Sequence, residues 1–553
     1  MKIKLIIIVL FLQFAGITFG QIFDWGKAEG LWAYDYGYGI TTDLYGNVYV
    51  TGKYEQQALF SGTTLNTRGN HDIFVAKYNS NGNLIWVKTA GGTMGDYGTS
   101  ISSDGQSYIY VAGEIEGYGI PVTFDNSNIS FTTVGDNDIF FAKYDLGGNL
   151  IWAKHAGAYK NDKALGITHD NNGNVILCGV FIDTTIFEGN HYLFGKGDKD
   201  LFIAKFDSSG NFIWGKSAGS IHRDEAKSVV CDSSGNIYVT GMFSDTVDFG
   251  GTSLISPNGY FDMFLAKYDS NGNLIWVKQG SSDYDEVGWG VTKTNDEKII
   301  VTGEFNAYAL FDNQPLVTTG MSDIFIAAYD VNGSVLWVNS AGGPMLERSR
   351  GIGTDGNNIY ITGQFGGQAG FGIEQVFAAD SSDIFISAMD NNGNFLWTIN
   401  VGGIADSIET LGYESGNAVC SFSGDGSVYA TGALLDGGNF GVTSVNGYKR
   451  TDVFICRILP EISGVKEFTD TNTESAVPNP CYEKINLQVN FQNEPVHISI
   501  YNSEGKMIIE RDQEMNGNLI TVDVTSLPEG LNYLKIKSAS GLIGKKIIHL
   551  NQH

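Results

Sequence analysis

The segment Asp72–Lys88, DIFVAKYNSNGNLIWVK, decides the fold, because close copies of it recur along the chain. It returns as DIFFAKYDLGGNLIWAK from Asp138 and as DLFIAKFDSSGNFIWGK from Asp200, and related segments begin at Asp262, Asp323, Asp383 and Asp452. Successive copies are 66, 62, 62, 61, 60 and 69 residues apart. A second marker, a small residue and then glycine after an apolar run, recurs at Gly52, Gly113, Gly179, Gly241, Gly303, Gly363 and Gly432. The two markers agree on seven repeats, and a long fixed period is typical of propellers and solenoids.

Each repeat predicts four short strands. In the first repeat they are GYGITTD, VYVTGKY, DIFVAKY and LIWVKTA, separated by the turns LYGN and NSNGN and by one longer, variable loop. Asn, Gly, Asp and Ser in these turns supply the positive φ values that tight hairpins require. The recurrent glycine of the second strand predicts a close approach of neighbouring backbone. Phe74, Tyr78, Trp86 and their counterparts are predicted to pack between sheets.

The chain ends of the repeat region predict ring closure. The seventh repeat lacks its fourth strand after Arg457, whereas FDWGKAEG near the N-terminus resembles the fourth-strand segment NLIWAKHAG. A tryptophan register is thereby completed by Trp25, Trp86, Trp152, Trp214, Trp276, Trp337 and Trp397. Pairing of the first strand into the last sheet would remove exposed sheet edges. The sequence therefore predicts an all-β chain with a seven-bladed β-propeller closed by an N-terminal strand.

Composition narrows the possible partners. The 553 residues include 72 Gly and 12% aromatic residues, as expected for many short strands and tight turns. Asp and Glu number 61 against 34 Lys and Arg, a formal net charge of −27. A nucleic-acid partner requires a basic footprint, so nucleic acid is not an expected partner, and anionic lipid surfaces are not either.

The first twenty residues, MKIKLIIIVLFLQFAGITFG, predict a signal peptide with cleavage after Gly20. The apolar run is too short for a membrane span, and no transmembrane segment is predicted elsewhere. The five cysteines have no zinc or redox spacing. They are interpreted as small buried side chains, with a Cys420–Cys456 disulfide as the alternative.

The recurrent pattern D-[I/L]-F-x-A-K-[Y/F]-D…G-N-x-x-W resembles the bacterial β-propeller repeat family SBBP over about residues 21–460. The resemblance implies a propeller fold and no common reaction. Residues 461–474 read as a polar linker.

Residues 475–553 resemble the type IX secretion C-terminal sorting domain, a small β-sandwich. The resemblance rests on Pro478, Asn479 and Pro480 and on the segments 500–506, 527–536 and 545–550 that follow them. The motif residues within these segments are Gly505, Lys506, Leu527 and Gly530. The family usually has an aromatic residue where Asn532 stands, and the chain runs on to Asn551-Gln552-His553. The resemblance implies the type IX machinery as partner and delivery to the cell surface or the medium. The alternative is a β-sandwich with a binding role of its own.

Several catalytic or binding motifs in the chain are interpreted as parts of the repeat. Gly210–Ser217, GNFIWGKS, satisfies the P-loop expression, and GKSAG from Gly215 satisfies the nucleophile-elbow expression. Both fall in a predicted outer strand, without the strand-to-helix turn that either chemistry needs. The D-x-N-G-N segments lack the remaining ligands of a calcium loop and are interpreted as hairpin turns. No cofactor is expected, and the alternative is calcium.

Two sets of carboxylates recur in register. One set follows each tryptophan by ten residues, or by nine in the last repeat, and comprises Asp35, Asp96, Asp162, Asp224, Glu286, Glu347 and Asp406. The other set opens each third strand and comprises Asp72, Asp138, Asp200, Asp262, Asp323, Asp383 and Asp452. Both sets should lie on the propeller face that carries the long loops. The strand-opening set is interpreted as structural. For the first set, the alternative to a structural role is a ring that attracts cations or a cationic partner.

The sequence favours an exported, monomeric, non-catalytic scaffold that binds a protein or a glycan. The first alternative is an extracellular polysaccharide lyase or glycosidase with its site over the channel, since carboxylates are abundant. A passive surface-layer component is the second. The candidates for an unrepeated functional group are the loop Ser220–Glu225, SIHRDE, and the pair Arg348 and Arg350.

Overall fold

The computed structural model describes residues 23–459 except 126, 283, 380, 404–413 and 441–442, together with 484–488, 495–502, 507–513, 519–525, 527, 530–537 and 542–549. The predicted signal peptide and the predicted linker lie outside the described residues. The chain divides into two compact units, residues 1–459 and 460–553.

The first unit contains seven antiparallel sheets that share one order, first, second, third and fourth strand, and a hairpin extends two of them to six strands. The first strands are Tyr36–Thr42, Asp96–Ser103, Lys163–His169, Glu225–Cys231, Glu286–Lys293, Arg348–Thr354 and Ser415–Phe422. The second strands are Val48–Phe60, Tyr108–Glu116, Val175–Phe181, Ile237–Phe243, Ile299–Phe305, Asn358–Phe365 and Ser427–Phe440. The only helical turn among the described residues is the 3-10 turn Pro257–Gly259. The chain is therefore all-β with propeller-like repeats, as predicted.

The outer half of each sheet follows the same order. The third strands are Thr63–Tyr78, Asn137–Asp145, Asp200–Phe206, Asp262–Tyr268, Asp323–Tyr329, Asp383–Asp390 and Thr443–Ile458. The fourth strands of sheets 1 to 6 are Leu84–Gly91, Leu150–Ala156, Phe212–Ala218, Leu274–Ser282, Val335–Ala341 and Phe395–Val401. In the seventh sheet the fourth position is taken by Phe23–Glu29, which pairs antiparallel with Thr443–Ile458, Lys27 opposite Ile455.

A β-hairpin lies between the second and third strands of every repeat. Separate hairpin strands are Pro121–Phe124 with Ser130–Thr132, Thr184–Phe187 with His191–Phe194, Asp245–Asp248 with Ser253–Ser256, Tyr308–Phe311 with Gln314–Val317, and Gln368–Phe371 with Glu374–Phe377. In sheets 1 and 7 the long second and third strands form the hairpin themselves. Several hairpins bond to the fourth strand of the preceding sheet, for example Ala90 to Phe124 and Gly280 to Phe311. These contacts cover edges that would otherwise be open to pairing with other chains.

The recurrent glycine of the second strand sits at a close backbone approach, as predicted. A Cβ atom built on Gly52 would lie 1.8 Å from the carbonyl oxygen of Tyr36, and one on Gly303 would lie 1.8 Å from that of Val287. The register shifts next to this glycine in each sheet, between Gly37 and Gly39 in the first. A bulge therefore opens each first strand, and any side chain at the glycine would collide with it.

The apolar core lies between consecutive sheets. Ile176 and Ile203 of sheet 3, for example, pack against Val239 and Phe264 of sheet 4. Equivalent clusters join the other neighbours. One cluster joins the seventh sheet to the first, with Val453 and Ile455 beside residues of the first sheet that include Val48, Val50 and Phe74.

Six of the seven tryptophans donate a hydrogen bond to a turn of the following sheet: Trp25, Trp86, Trp152, Trp214, Trp276 and Trp337. The Trp86 Nε1–H donates to the carbonyl oxygen of Leu146 at 3.2 Å, and the Trp25 Nε1–H donates to that of Ser80 at 2.9 Å. A Cβ atom on Gly148 would lie 2.9 Å from the Trp86 ring. The glycine of the turn and the tryptophan of the preceding repeat are thus contacting partners.

The second unit contains a two-stranded sheet, Lys484–Gln488 with Leu519–Asp523, and a four-stranded antiparallel sheet. The four-stranded sheet is ordered Met507–Gln513, Val496–Asn502, Gly530–Lys537 and Leu542–His549. Val496, Ile498, Ile520, Val522 and Leu527 are buried. Gly530 opens its strand, whereas Pro478, Asn479, Pro480, Gly505 and Lys506 lie outside the described residues.

The P-loop-like and elbow-like segments and the cysteines can now be placed in the fold. Gly210–Ser217 forms a turn and the fourth strand Phe212–Ala218, as predicted for a repeat segment. Cys420 and Cys456 are free thiols, and the register places Cys420 opposite Tyr429 and Cys456 opposite Ala430. The two cysteines therefore do not form a disulfide. Cys481 lies outside the described residues.

Candidate functional site

One end of the sheets carries both the long hairpins and the segments that link each fourth strand to the next first strand. Backbone hydrogen bonds tie these segments together: the amide of Asp162 donates to the carbonyl oxygen of Asn137, and that of Asp224 donates to that of Lys199. We call this end the loop face; it comprises the linking segments 30–35, 92–95, 157–162, 219–224, 284–285 and 342–347 and the hairpin-bearing connections.

The two recurrent carboxylate sets meet at the junctions between sheets. A Cβ atom on Gly91 would lie 2.8 Å from Asp72 Oδ1 and 2.9 Å from Asp96 Oδ2. One on Gly30 would lie 2.2 Å from Asp452 Oδ1 and 2.6 Å from Asp35 Oδ2. Each pair therefore joins the third-strand Asp of one sheet to the first-strand acid of the next. These residues are fully or almost fully buried, so the pairs are not an exposed acidic ring.

The paired carboxylates accept hydrogen bonds from backbone amides of the neighbouring loops and strands. Asp35 accepts the amide hydrogens of Leu31 and Glu55 at 3.2 and 2.8 Å, and Asp96 accepts those of Gly92 and Glu116. These hydrogen bonds lower the pKa values of the two acids, but burial raises them by more. The pKa rises to about 8 for Asp35 and Asp162, to about 7 for Asp96 and Glu347, and to about 6 for Asp138, Asp224 and Asp262. Burial also places the pKa of Glu286 well above its usual range.

Asp406, the predicted seventh member of the first acidic set, lies outside the described residues. Glu414 occupies the matching place in the seventh sheet: it is buried at the start of the first strand and accepts the amide hydrogen of Leu435 at 3.3 Å. Spacing from the tryptophan missed it because the preceding loop is seven residues longer than in the other repeats. The signal available was the small residue two positions after every acid, here Gly416.

The loop face presents a large apolar side chain from each linking segment that the structure describes. They are Trp32, Met94, Tyr159, Ile221, Tyr284 and Met345, with Trp32 and Tyr159 exposed to 67% and 74%. Hairpin-side residues add to them: Tyr118 stacks on Tyr159 with ring centroids 6.4 Å apart, and Tyr260 lies 5.3 Å from Tyr284. We call the six side chains of the linking segments, from Trp32 to Met345, the apolar ring.

The opposite end is polar. In its turns an Asp side chain accepts two backbone amide hydrogens, as Asp269 does from Asn271 and Asn273. These hydrogen bonds lower the pKa of Asp269. Leu44 and Tyr45 are the large exposed hydrophobic residues in those turns, within the part of the chain that the structure describes. The two ends therefore differ in chemistry as well as in loop length.

A central cavity of about 180 Å³ is lined by residues of all seven first strands. In each sheet, the residue that directly follows the small residue at the bulge has a different identity, although the sequence around it repeats. These residues are Tyr38, Thr99, Leu165, Lys227, Trp289, Arg350 and Asn417. Sequence reasoning identified Arg350 among these. The other six could have been found as the variable column in an alignment of the seven repeats.

Charged and aromatic side chains meet around Trp289. Lys227 Nζ lies 4.6 Å and Arg350 Cζ 5.6 Å from the centre of the Trp289 ring. The Trp289 Nε1–H donates to Glu304 Oε1 at 3.2 Å, and Arg348 pairs with Glu304 Oε2. The candidates Arg348 and Arg350 are thus brought to one place.

The loop Ser220–Glu225 joins the same cluster through Glu225. This carboxylate contacts Arg223, Lys227 and Lys199, the last at 3.9 Å. Burial opposes ionisation of Glu225, but Lys227 and Arg223 outweigh it and lower its pKa to about 2. We call Lys199, Arg223, Glu225, Lys227, Trp289, Glu304, Arg348 and Arg350 the basic cluster.

An aromatic group lies at the first sheet. Tyr36 and Tyr38 are stacked with ring centroids 5.8 Å apart, and Tyr97 lies 6.5 Å from Tyr38. Lys53 Nζ stands 5.1 Å from the Tyr36 ring and 5.3 Å from the Tyr97 ring. Tyr36 and Tyr97 directly follow acids of the first set, so this group borders the loop face.

The described residues of the two acidic sets do not form a metal-binding group. No group of three or more His, Cys, Asp or Glu in the described ranges is arranged to hold a metal ion. Calcium takes six to eight oxygen ligands, whereas a junction between sheets supplies two carboxylates. No helix among the described residues is long and apolar enough to cross a bilayer.

Comparison with family models identifies two parts of the chain. Residues 25–53 match the beta-propeller repeat family SBBP, and residues 475–550 match the secretion system C-terminal sorting domain. Both resemblances drawn from the sequence are thereby confirmed. Proteins with this sorting domain are exported by the type IX system to the cell surface or the extracellular space, and this chain carries it.

Two curated proteins resemble part of the chain. An uncharacterized WD repeat-containing protein of Acanthamoeba polyphaga mimivirus is 24% identical over 326 residues, 48% of this chain and 23% of that protein. The regulatory protein FlaEY of Caulobacter vibrioides is 25% identical over 256 residues, 43% of this chain and 25% of that protein. The matched part spans about a quarter of the length of either relative.

Two solved structures are similar at 10% identity. Dimeric latent PorU from Porphyromonas gingivalis aligns with a TM-score of 0.13 over 64% of this chain and 31% of that one. A tetra-tandem repeat from the extending region of a large adhesion protein aligns with a TM-score of 0.10 over 92% of this chain and 96% of that one.

Proposed function

We propose that this chain is an exported, non-catalytic binding protein, a closed seven-bladed propeller that takes a protein or glycan ligand on its loop face. The observation that carries the proposal is the apolar ring, because large exposed aromatic side chains mark interaction sites and are common binding hot spots. Closure is supported by the pairing of Phe23–Glu29 with Thr443–Ile458 and by the core cluster between the seventh and first sheets.

Repetition supports a scaffold with one specialised end. The sheet residues recur seven times, whereas the linking segments present Trp, Met, Tyr or Ile at matching places. A rigid framework that positions variable loops is a common arrangement for recognition. Export by the type IX system brings this end to extracellular partners.

The test is binding of the purified protein to arrays of saccharides and extracellular proteins. Tyr159→Ser and Trp32→Ser should each weaken capture of the ligand at least about tenfold, the usual loss for an aromatic hot spot. Tyr45→Ser, which removes a 71% exposed tyrosine from the opposite end, is the matched control and should leave capture unchanged. Equal loss from all three variants, or from none, would refute the assignment of the loop face. Time-dependent cleavage of an arrayed polysaccharide would favour a lyase or glycosidase instead.

A further inference from the structure

Positive charge is concentrated at the basic cluster of a strongly acidic chain. The cluster holds the cations Lys199, Arg223, Lys227, Arg348 and Arg350 but only the carboxylates Glu225 and Glu304, whereas the whole chain carries a formal charge of −27. Since unneutralised charge in a cleft attracts ions of the opposite sign, this excess favours an anionic ligand.

Arg350 is the cation most in need of a partner. Its guanidinium group has no carboxylate within 4.0 Å among the described residues, and its Nε–H is buried without a hydrogen-bond acceptor there. A buried donor left unsatisfied costs free energy, and a planar guanidinium group is suited to bind a carboxylate through two parallel hydrogen bonds. Arg350 therefore has the capacity and the need for an oxyanion.

Aromatic rings and the cavity size restrict the rest of the ligand. Trp289 and Tyr38 line the same cavity as Arg350. Their rings offer flat apolar surfaces beside the charge, which suits a ligand that is itself a ring with apolar C–H faces. The volume of about 180 Å³ is close to the roughly 150 Å³ that accommodates a benzene molecule, so the space takes a single ring.

We propose that the central cavity binds one uronate sugar, the terminal residue of an acidic saccharide, with its carboxylate on Arg350 and its ring against Trp289 and Tyr38. This inference rests on the proposed function and assigns the chemical class of the ligand. The net negative charge of the chain disfavours a long polyanion, so the site is selective for a single anionic sugar at a chain end. The apolar ring then contacts the neighbouring, less charged part of the saccharide.

The experiment is calorimetric titration of the full exported chain with D-glucuronate, D-glucose, sodium sulfate and N-acetyl-aspartate amide. Glucuronate should bind at least about tenfold more tightly than glucose, because the charged hydrogen bonds are present only with the carboxylate. Sulfate and the aspartate derivative should each bind more weakly than glucuronate, since they lack the ring. Arg350→Gln should weaken glucuronate binding about tenfold or more and leave glucose unchanged.

Matched variants separate the roles of charge and ring. Lys154→Gln removes a positive charge that pairs with Glu188 on an outer strand, and it should leave glucuronate binding unchanged. Trp289→Leu should weaken glucuronate and glucose alike. Arg350→Lys retains the charge and should recover part of the affinity, and thermal melts show whether each variant is folded.

Several results would overturn the inference. They are no glucuronate binding at millimolar concentration, equal affinity for glucose, an aspartate derivative that binds as well as the sugar, or an unchanged affinity in a folded Arg350→Gln protein. The apolar-ring variants report separately on the proposed function. A ligand that depends on Tyr159 but not on Arg350 would leave the loop-face proposal standing while the uronate site fails.

Discussion

The buried carboxylate pairs are the residues whose chemistry departs furthest from that of ordinary surface acids. Asp162 Oδ2 accepts the Ala158 amide hydrogen at 2.8 Å, whereas its Oδ1 is buried without a hydrogen-bond partner among the described residues. A second carboxylate, Asp138, lies close enough to raise the Asp162 pKa further. Because neither acid has a cation beside it in the part of the chain that the structure describes, the pair at this junction retains a proton near neutral pH.

Replacement of Asp162 by Asn should flatten the pH dependence of stability. Below about pH 4 the carboxyl group is protonated in both folded and unfolded chains. Between there and its folded-state pKa of about 8, only the unfolded chain releases the proton, so the free energy of unfolding falls as the pH rises. Each unit of pKa difference corresponds to about 1.4 kcal/mol. Urea unfolding at pH 5 and pH 9 should show a smaller loss of stability at pH 9 in Asp162→Asn than in the parent.

The exposed turn residue Asp269 provides the comparison, since its pKa is lowered rather than raised. Asp269→Asn should leave the decline between pH 5 and pH 9 unchanged. A calcium titration at pH 7 should not raise the melting temperature of the parent if a proton, rather than a cation, neutralises the pairs. An identical decline in the parent and in Asp162→Asn would show that the carboxyl is ionised in the fold.

A glycine at the end of each fourth strand is required because the carboxylates pack on it. Gly91→Ala would place a methyl group 2.7 Å from Asp72 Cγ, and overpacking of this kind costs about 1–3 kcal/mol. Gly370→Ala is the matched control, since the nearest atom to its methyl group would be 3.7 Å away. Denaturant unfolding should show a loss for Gly91→Ala and little change for Gly370→Ala. A loss of equal size in both would contradict a specific collision with the carboxylates, because the lower entropy of the unfolded alanine chain stabilises both variants alike.

At the scale of elements, the contact between a tryptophan and the turn of the next sheet explains why two separated parts of the repeat recur together. Trp86 packs near Tyr49, with ring centroids 6.0 Å apart, and donates to the turn carbonyl of Leu146. The G-N of one repeat and the W of the preceding repeat are therefore a single packing unit. This contact links successive sheets without any strand pairing between them.

Trp86→Ala should destabilise the first unit by about 3–5 kcal/mol, as expected for loss of a large aromatic residue from an interface between sheets. Trp86→Phe retains most of the apolar surface and loses the hydrogen bond, so it should cost about 1 kcal/mol. Hydrogen exchange should accelerate in the turn 145–149 in both variants. If exchange rose only around residue 86 itself, the proposed link between sheets would be absent.

Sequence alone could predict the repeated elements because each repeated residue fills a repeated structural role. The second-strand glycines, the turn Asp residues and the tryptophans have the same contacts in sheet after sheet. The candidate site is different, since Tyr38, Trp289 and Arg350 are defined by their departure from the repeat. The pairing of the two acidic sets also required the structure, because the partners belong to successive sheets and lie 24 residues apart, as Asp72 and Asp96 do.

At the scale of the whole molecule, the C-terminal sorting domain directs export of the first unit. Deletion of residues 475–553 in the native host should abolish surface and extracellular delivery and leave the first unit folded inside the cell envelope. Fusion of residues 461–553 to an unrelated periplasmic protein is the converse control and should bring that protein to the surface. Immunodetection on intact cells measures both, and unchanged surface delivery of the deleted chain would contradict a sorting role.

The first described strand pairs with the last strand of the repeat region, and a covalent link can test this pairing. Lys27 lies directly opposite Ile455, and opposed residues of antiparallel strands are within disulfide reach. The double variant Lys27→Cys with Ile455→Cys, in a Cys456→Ser background, should form an intramolecular disulfide and migrate differently on non-reducing gels.

The free energy of unfolding of the oxidised Lys27→Cys, Ile455→Cys variant should be about 3–5 kcal/mol higher than that of its reduced form, because the bond closes a very long loop. Comparison of the two redox states of one protein cancels the cost of replacing Ile455 in the core. Lys27→Cys with Val453→Cys is the register control, since diagonal neighbours two residues along a strand are about 7–8 Å apart and should stay reduced. A disulfide-linked dimer would mean that the first strand pairs with another copy of the chain. Equal oxidation of both cysteine pairs would mean that the first strand pairs with Thr443–Ile458 in no fixed register. Either result would leave the seven sheets as an open array instead of a ring held by its first strand.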